Sequence, residues 1–325
     1  MAVLILTHSQ DNQSIALVSQ ALTKRGATPV RLDSDLYPQA LQVSTHLSGQ
    51  GRHRHLNIDG QKIDLQTVTA CWYRRFAAAS LLPQDLGDTR EACVAESRQT
   101  LYGTIAALDC FQLDPLRCVR RADHKEVQLE KALDFGLSIP ATLISNDPEE
   151  ALAFYRDNAG LVVTKTQTSF AIYRDQEEHV VFTSQVREEH LHELDGLACA
   201  PMMFQQMLPK RLELRATVVG GRVFTAAVDS QKLPGATVDW RREGVALVDA
   251  WTPYQLPPEV ENGLLQLTSH FGLNYGAADF IVTPEGQHIF LEVNAGGEWF
   301  WLQPIWPIAE AIADLLIDPF CKNFR

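Results

Sequence analysis

The chain has 325 residues, with 28 basic and 40 acidic side chains and a net charge of −12 at pH 7. The length suffices for about two or three domains, and 46% hydrophobic residues with 21% charged residues are typical of a globular protein with sizeable cores. The negative charge disfavours contact with a nucleic-acid backbone, and no apolar run approaches the roughly 20 residues of a membrane span. Neither nucleic acid nor membrane is expected as a partner.

The N-terminal residues and the cysteines both favour a reducing compartment. "MAVLILTHSQDNQ" lacks the basic segment and cleavage site of a signal peptide, so we expect a first strand and a cytoplasmic protein. The six cysteines include no CxxC pair and no metal-finger spacing, which favours free thiols. His53 and His55 could suggest a metal, but flanking arginines repel a cation, so a solvated loop or hairpin is favoured.

The first predicted unit opens as strand, helix and strand, which is typical of an α/β domain. Its first loop has no GxGxxG, so the dinucleotide fingerprint is absent. Strand-like segments near 43–48 and 54–58 follow, then a strand at "TACWYRRFA" and an amphipathic helix near 87–109. A boundary is predicted near residue 118.

The second predicted unit is small and of α+β type. Asp123 and Glu126 have capping-box spacing before a helix that ends at Gly136, and Asp147 with a following proline marks the next helix start. Short strands at "GLVVTKT", "FAIYR" and "HVVFTS" precede a short acidic helix. The third unit begins near residue 203. Its predicted elements are a hairpin with strands at 212–219 and 222–229, a helix near 258–271, two strands ending at Asn294, and a helix near 307–316.

Three oxygen-bearing side chains, Asp279, Glu292 and Asn294, lie on two strands that a Pro-Glu-Gly turn joins into a hairpin. Alternate side chains of a strand share a face, so Glu292 and Asn294 point the same way, and pairing can bring Asp279 opposite them. Two carboxylates and an amide oxygen suit Mg²⁺ carried by a nucleotide phosphate. The alternative is a set of exposed strand residues, which apolar neighbours such as Phe280 and Phe290 make less favourable.

Several basic side chains could hold phosphates. Lys165 ends an apolar strand, and Lys125 lies in a first helical turn, where a cation is disfavoured unless an anion is near. Taken singly, each lysine is more often solvated. Glu213 and Arg215 share a strand face, and Arg241 in "DWRREG" adds a planar group suited to phosphate or carboxylate, with a surface turn as the alternative. GxSxG and HExxH are absent, so no covalent nucleophile is indicated.

The order of these parts resembles the ATP-grasp ligases, through "VVTK", "FQQMLPKRLELRATVVGGRVF", "GAADFIV" and "FLEVNAGGEW". Over nearly all 325 residues, including "LTHSQDNQSI", "RLDSDLYP" and "CWYRRF", the chain is similar to the microviridin-type branch. Those enzymes close rings in ribosomally made precursor peptides, the graspetides. One departure is Ala295, where many relatives carry proline; it loosens the turn and leaves the ligand atoms unchanged.

The resemblance implies a three-domain ATP-grasp fold of α/β and α+β units. Its domains would be an N-terminal pre-ATP-grasp domain at 1–118, a central domain at 119–203 and a C-terminal domain at 204–325. ATP and Mg²⁺ would be the cofactors. The partner would be a precursor peptide with a leader and a core rich in Thr/Ser and Asp/Glu; a homodimer is an option that the sequence leaves open.

The resemblance also implies residue roles. Lys125 and Lys165 would hold ATP phosphates, and Glu213 would lie near the ribose. Arg215 and Arg241 would face the phosphates and the substrate carboxylate, so with Lys165 they are the expected catalytic residues. The loop "TQTSFA" stands where relatives have a phosphate-covering loop, but it lacks glycine. The expected metal ligands are Asp279, Glu292 and Asn294, and the further nucleotide contacts are Arg215, Asn294, Gln205, Gln206, Met207 and Leu208.

The implied reaction follows from carboxylate chemistry. A side-chain carboxylate is a poor acyl donor until ATP converts it to an acyl phosphate, which a Ser/Thr hydroxyl displaces to give a lactone, or a Lys amine to give a lactam. A ligase that adds amino acids to a peptide or protein is the alternative enzyme. A non-catalytic nucleotide- or peptide-binding module is the third option, and the intact metal set argues against it.

Two segments are assigned to the peptide, each with an alternative. In the resembling family a leader helix docks on the central domain, so the acidic segment "REEHLHELDG" could receive a basic leader residue or could be a solvated face. Arg74 could reach the core peptide from the first domain, or its strand could be an edge strand with arginines extended to water. The acidic residues proposed for the leader are Glu188, Glu189, Glu193 and Asp195.

Overall fold

The computed structural model describes residues 1–168, 171–174, 177–180 and 182–319. Alternating strands and helices come first, and antiparallel sheets follow, as expected of a chain with α/β and α+β units. In the part of the chain that the structure describes, no helix combines the length and the apolar character of a membrane-spanning segment.

The N-terminal domain contains a parallel sheet in the order β2-β1-β6-β7 and an antiparallel three-stranded sheet in the order β3-β4-β5. Val3 to Leu6 of the first strand are fully buried, because helices and loops cover both sheet faces. The predicted histidine segment is a hairpin in which His46 pairs with His53. Its elements are β1 (Ala2–Thr7), α1 (Gln13–Lys24), β2 (Thr28–Asp33), β3 (Leu41–Ser48), β4 (Gly51–Ile58), β5 (Gln61–Asp64), β6 (Val68–Tyr73), α2 (Arg90–Ala106), β7 (Phe111–Leu113) and α3 (Leu116–Ala122).

The central part has an antiparallel sheet in the order β12-β9-β13-β8 and a separate hairpin, β10-β11. Asp147 caps its helix as predicted, since its carboxylate accepts from the Glu149 N–H at 2.9 Å. The predicted capping box at Asp123 and Glu126 is wrong: the helix begins one residue later, with His124 as N-cap and no side-chain cap. The elements are α4 (Lys125–Asp134), β8 (Thr142–Ser145), α5 (Pro148–Asp157), β9 (Val162–Lys165), β10 (Ala171–Arg174), β11 (Glu177–Val180), β12 (Ser184–Gln185) and β13 (Met202–Gln206).

The C-terminal part is an antiparallel sheet in the order β16-β15-β14-β17-β18, flanked by two long helices. Strands β14 and β15 form the predicted hairpin, and α7 has the predicted bounds. The last helix packs against α1 of the first domain, so the two ends of the chain share a core. The elements are β14 (Leu212–Val219), β15 (Arg222–Val228), α6 (Gly244–Leu247), β16 (Thr252–Tyr254), α7 (Pro258–Phe271), β17 (Tyr275–Val282), β18 (His288–Asn294) and α8 (Ile308–Ile317).

Packing across the chain differs from the predicted domain limits at two places. β13 pairs with β8 and β9, so the central sheet continues to Gln206, three residues past the predicted limit. Helix α4 packs on β18 and α7 of the C-terminal part, through residues such as Leu129 and Ala132. The central sheet is therefore preceded in the chain by a helix, α4, that packs on the C-terminal part, and it is followed by β14 of the C-terminal sheet.

A buried carboxylate joins the first and third domains. Asp114 follows β7 and is 3% exposed. Its oxygens accept from the Asn274 N–H at 3.0 and 2.9 Å, from Asn274 Nδ2 at 2.9 Å and from the Tyr275 N–H at 2.9 Å. Because Asn274 and Tyr275 lead into β17, Asp114 sets the entry of the strand that carries Asp279.

Replacing Asp114 by alanine should destabilise the protein. One buried and two partly buried N–H donors would lose their acceptor, and we expect the free energy of unfolding to fall by about 3 kcal/mol. Urea unfolding followed by circular dichroism measures this change. The matched control is Asp109→Ala, an exposed carboxylate near the start of the same strand, which should stay near wild type. Equal stability of the two variants would contradict the role given to Asp114.

Candidate active site

Two members of the predicted trio, Asp279 and Glu292, lie in one row of side chains across the C-terminal sheet, and Asn294 pairs with Ala277 in a neighbouring row. Arg215 on β14 pairs with Asp279 on β17, which pairs with Glu292 on β18. Between the Asp279 and Phe280 pairs the register shifts, and the extra residue is Leu291. The structure thus brings Asp279, Glu292 and Asn294 to one side of the sheet, as the alternation of side chains predicts.

This row borders a cavity of about 560 Å³ between the central and C-terminal parts. The expected site residues at its wall are Lys125, Lys165, Gln205, Gln206, Met207, Leu208, Glu213, Arg241, Asp279, Glu292 and Asn294. Arg215 lies behind Asp279, outside the lining. The cavity is of the size that small-molecule sites have, and it is unusually rich in charge for such a site.

Glu292 is the electrostatic centre of the cavity. Lys125 Nζ lies 2.8 Å and Lys165 Nζ 3.9 Å from its Oε2 atom. Burial alone would raise the pKa of Glu292, but the charges of the two lysines outweigh it and hold the pKa well below its usual range. Burial lowers the pKa of Lys165 against the opposing effect of Glu292. The two lysines are thus neither free nor solvated.

Lys125 shows why a cation is tolerated at the start of α4. Besides Glu292, its ammonium group donates to the Thr166 carbonyl at 3.0 Å. A cation in a first turn is disfavoured by the helix dipole, and the Glu292 carboxylate compensates that cost. Lys125 therefore links the loop after β9 to the end of β18.

Asp279 is held from the opposite side. Arg215 Nη1 donates to Asp279 Oδ1 at 2.7 Å, and both groups are largely buried. Burial raises the pKa of Asp279 in spite of the Arg215 charge. The carboxylates of Asp279 and Glu292 thus face each other across the strand pair, each with its own cationic partner.

The donor set fits a divalent cation brought by phosphates. Among the described residues no three His, Cys, Asp or Glu side chains form a complete metal cage. The site offers two carboxylates and one amide, and Glu292 Oε2 accepts no well-aligned hydrogen bond although Lys125 is near. Mg²⁺ usually takes few protein carboxylates and fills its other positions with phosphate and water oxygens, which this set allows.

Two cavity residues escaped the sequence analysis. Lys210 Nζ donates to Glu213 Oε1 at 2.7 Å and to the Val238 carbonyl at 3.1 Å, so the carboxylate expected near the ribose already has a partner. Asp239 is buried and receives Arg241 Nη2 at 2.6 Å and Nε at 2.9 Å. Lys210 stands in the quoted segment "LPKRLELR" and Asp239 in "DWRREG", but nothing local showed which way either side chain points.

The Asp239 carboxylate also contacts the central part, through the Thr183 N–H at 3.2 Å. Burial would raise the pKa of Asp239, but the hydrogen bonds from Arg241 outweigh it and the pKa falls. Arg241 is half exposed at the cavity and is fixed by this two-point contact. Its position at the cavity wall favours a role in the site over the alternative of a surface turn, and that role stays a prediction.

The segment expected to frame the adenine is anchored by its backbone. Gln206 N–H donates to the Ala141 carbonyl at 2.9 Å, and Met207 N–H donates to the Leu161 carbonyl at 2.8 Å. Gln205 is buried and donates to Thr142 Oγ1 at 3.0 Å. Of the expected phosphate-covering loop, Thr166 to Thr168 line the cavity, while 169–170 lie outside the described residues.

The acidic segment forms the predicted short helix, which is a 3-10 helix, Glu188–Ala198. It packs on the central sheet through Leu191, Leu194 and Leu197. The side chains assigned to the leader are all exposed; they are Glu188, Glu189, Glu193 and Asp195. The structure therefore allows a protein contact here and leaves the leader role a prediction.

Arg74 does not face the cavity. Its side chain is 1% exposed, its Nη2 lies 2.6 Å from Glu298 Oε1, and it donates to the Gly296 carbonyl. An edge-strand residue extended to water does not match this burial, and β6 is an inner strand of its sheet. Arg74 links the first domain to the turn after β18, and its contact with the core peptide stays a prediction.

Comparison with known proteins gives concordant results. A family model described as the MvdD pre-ATP grasp domain matches residues 2–120. No curated protein sequence matches the chain. Among solved structures, the macrocyclase MdnC of Microcystis aeruginosa MRC, bound with precursor peptide MdnA, is 44% identical, with 98% of this chain and 100% of that chain covered and a TM-score of 0.90.

Two further structures match over nearly the whole chain. A Chryseobacterium gregarium RiPP-associated ATP-grasp ligase, in complex with ADP and a leader and core peptide, is 39% identical, with 98% and 97% covered and a TM-score of 0.90. The macrocyclase MdnB of Microcystis aeruginosa MRC is 37% identical, with 97% and 99% covered and a TM-score of 0.84.

The fold and the charged cavity define an ATP-grasp ligase, and the resemblance to this class is confirmed. Within that class, the chain belongs to the microviridin-type family of peptide macrocyclases. The roles of individual residues in the site stay predictions.

Glu292→Gln should uncouple nucleotide binding from Mg²⁺. The change removes an expected metal ligand and also releases Lys125 and Lys165 from their shared counter-ion. We expect ADP affinity without Mg²⁺ to be unchanged or higher, and the gain that Mg²⁺ gives wild type to fall by about tenfold. Isothermal titration with ADP at both metal conditions measures this, with the exposed Glu285→Gln as the matched control. A wild-type Mg²⁺ gain in the variant would contradict the ligand role.

Proposed function

We propose that this ligase uses ATP to activate Asp or Glu side chains of a ribosomal precursor peptide and closes ω-ester rings with Thr or Ser hydroxyls. The observation that carries the proposal is the 44% identity, over 98% of this chain and 100% of that chain, to a macrocyclase bound with precursor peptide. The charged cavity supports it, because it supplies cations and carboxylates without a covalent nucleophile.

In the first step, the peptide carboxylate attacks the γ-phosphate of ATP, forming a P–O bond and releasing ADP. Charge develops on the transferred phosphoryl oxygens, and fixed cations in a water-poor site stabilise it. Lys165 and Lys125 are placed for this task beside Glu292, 3.9 and 2.8 Å from its Oε2 atom. Mg²⁺ on Asp279, Glu292 and Asn294 would neutralise phosphate charge and orient the triphosphate.

In the second step, a peptide hydroxyl attacks the acyl phosphate, and phosphate leaves as the ester forms. Arg241 is half exposed at the cavity with its guanidinium fixed by Asp239, so it is the group best placed to orient a carboxylate or departing phosphate. Arg215 would act from behind Asp279, since its Nη1 atom donates to that carboxylate. Holding both peptide groups in one geometry supplies much of the rate gain.

The experiment supplies purified enzyme with ATP, Mg²⁺ and a leader-bearing peptide rich in Thr/Ser and Asp/Glu. We expect ADP release that depends on the peptide, and loss of one water mass per ring. Rings that open under mild base are esters. A mass increase would instead indicate the ligase that adds amino acids, base-stable rings would indicate lactams, and binding without turnover would indicate a non-catalytic module.

We further propose that the acidic 3-10 helix, Glu188–Ala198, receives the leader. Its apolar side packs on the central sheet, while its carboxylates face solvent. Among these, Glu189 has an intramolecular partner, Arg187 at 3.3 Å, itself exposed. Exposed acidic groups of this kind can pair with a basic residue of a docked helix, at a modest energy for each pair.

Charge reversal tests the leader site. Replacing Glu189, Glu193 and Asp195 by lysine should weaken precursor binding by about tenfold while ADP affinity stays unchanged. Fluorescence anisotropy with a labelled leader gives the affinity at low and high salt. The matched control reverses three exposed acids of the first domain, Asp85, Asp88 and Glu91. Equal leader affinity in both variants would rule out this surface.

A further inference from the structure

Glu298 is the centre of a charged node between the first and third domains. Arg74 Nη2 lies 2.6 Å from its Oε1 atom, and Arg75 contacts the same oxygen. The Ser14 hydroxyl donates to Oε2 at 2.9 Å. Three side chains of the first domain therefore converge on one carboxylate of the turn that follows β18.

The same residue reaches the candidate metal row through its backbone. Arg215 Nη2 donates to the Glu298 carbonyl at 3.1 Å, and its Nη1 donates to Asp279 Oδ1 at 2.7 Å. The Arg215 guanidinium thus bridges two acceptors, the Glu298 carbonyl on the turn and the Asp279 carboxylate in the site. A displacement of the turn would move the guanidinium and change the support of the Asp279 carboxylate.

The turn has little room to move independently. A side-chain carbon added at Gly297 would lie 2.5 Å from the Ala277 Cβ atom, and Tyr275 donates to the Gly297 carbonyl at 2.7 Å. Arg74 also donates to the Gly296 carbonyl. The backbone between Asn294 and Glu298 is therefore packed closely against β17 and is also hydrogen-bonded to the first domain.

The composition of the node indicates a geometric role. Arg74 and Arg215 are largely buried, and each has a guanidinium Nε without a hydrogen-bond acceptor. Burying charges in this way is costly, and apolar packing of equal volume would stabilise the domain contact at least as well. What a charged node adds is a fixed direction for each guanidinium group.

We propose that Glu298 is a positioning residue: it ties the first domain to Arg215 and thereby sets the Asp279 carboxylate for the metal–nucleotide. The inference rests on the proposed function for its catalytic consequence only. Glu298 is not proposed to contact the substrate. Groups that orient metal ligands from behind influence metal affinity and activity by about tenfold or more.

The test compares Glu298→Gln and Glu298→Ala with Asp314→Asn. Asp314 pairs with Arg25 at 2.5 Å and also joins the first domain to the C-terminal part, but through α8, away from the cavity. We expect both Glu298 variants to need about tenfold more Mg²⁺ for half-maximal ADP binding, and kcat to fall with KM for ATP within about twofold. Asp314→Asn should lower stability without moving either quantity.

Mg²⁺-dependent ADP binding is measured by calorimetry without peptide, so it decides this proposal even if the cyclisation assay fails. If Glu298→Ala does not fold, Glu298→Gln and Arg75→Gln carry the test, since Arg75 is partly exposed. Wild-type Mg²⁺ dependence in folded Glu298 variants overturns the proposal. A loss of stability alone, equal to that of Asp314→Asn, overturns it as well.

Discussion

The shared ion pair of Glu292 with Lys125 and Lys165 is the interaction on which the rest of the site depends. Three segments far apart in the chain meet at this carboxylate: the start of α4, the end of β9 and the end of β18. A buried carboxylate without a partner would be strongly unfavourable, so these segments can approach only with their charges matched. The cavity and its charge pairing therefore form together.

This pairing has a consequence for ligand binding. Lys125 and Lys165 are already desolvated by the fold, with the Glu292 carboxylate as their partner. In the proposed function, an incoming phosphate would exchange partners with groups that have lost their water, instead of stripping water from mobile lysines. Preorganised charge of this kind is the main electrostatic contribution that proteins make to phosphoryl transfer.

Local patterns predicted most elements of the C-terminal part. Helix α7 and the hairpin of β14 and β15 have clear periodicity and turn residues, and the alternation of strand side chains placed Glu292 and Asn294 on one face. The failures have physical reasons. The box at Asp123 has the required residue types, but the backbone turns into the helix at His124 instead.

Contacts between distant segments were out of reach of the sequence. Asp239 and Lys210 carry no local sign of burial, because their contacts with Thr183, just before β12, and with Val238, between β15 and β16, form only in the folded protein. The interpretations of Arg74 were based on its own strand segment, but its partner in the structure, Glu298, lies more than 200 residues later in the chain. The charge of a side chain can be inferred from a single segment. Whether that side chain faces solvent, substrate or a second domain depends on tertiary structure.

The domains are joined in two different ways, and the difference explains where the site lies. The first and third domains share an apolar core through α1 and α8, with Asp114 and Glu298 adding buried polar contacts. The central sheet has a small core of its own and reaches the C-terminal core through Met203 and Ile144, but beside the cavity it meets the C-terminal part through polar contacts such as that of Lys125 with Thr166. Polar contacts can be rearranged at lower cost than an apolar core, since water replaces the lost partners. The polar residues around the cavity can thus change hydrogen-bond partners when a ligand binds, while the contacts between the first and third domains behind Asp279 keep their geometry.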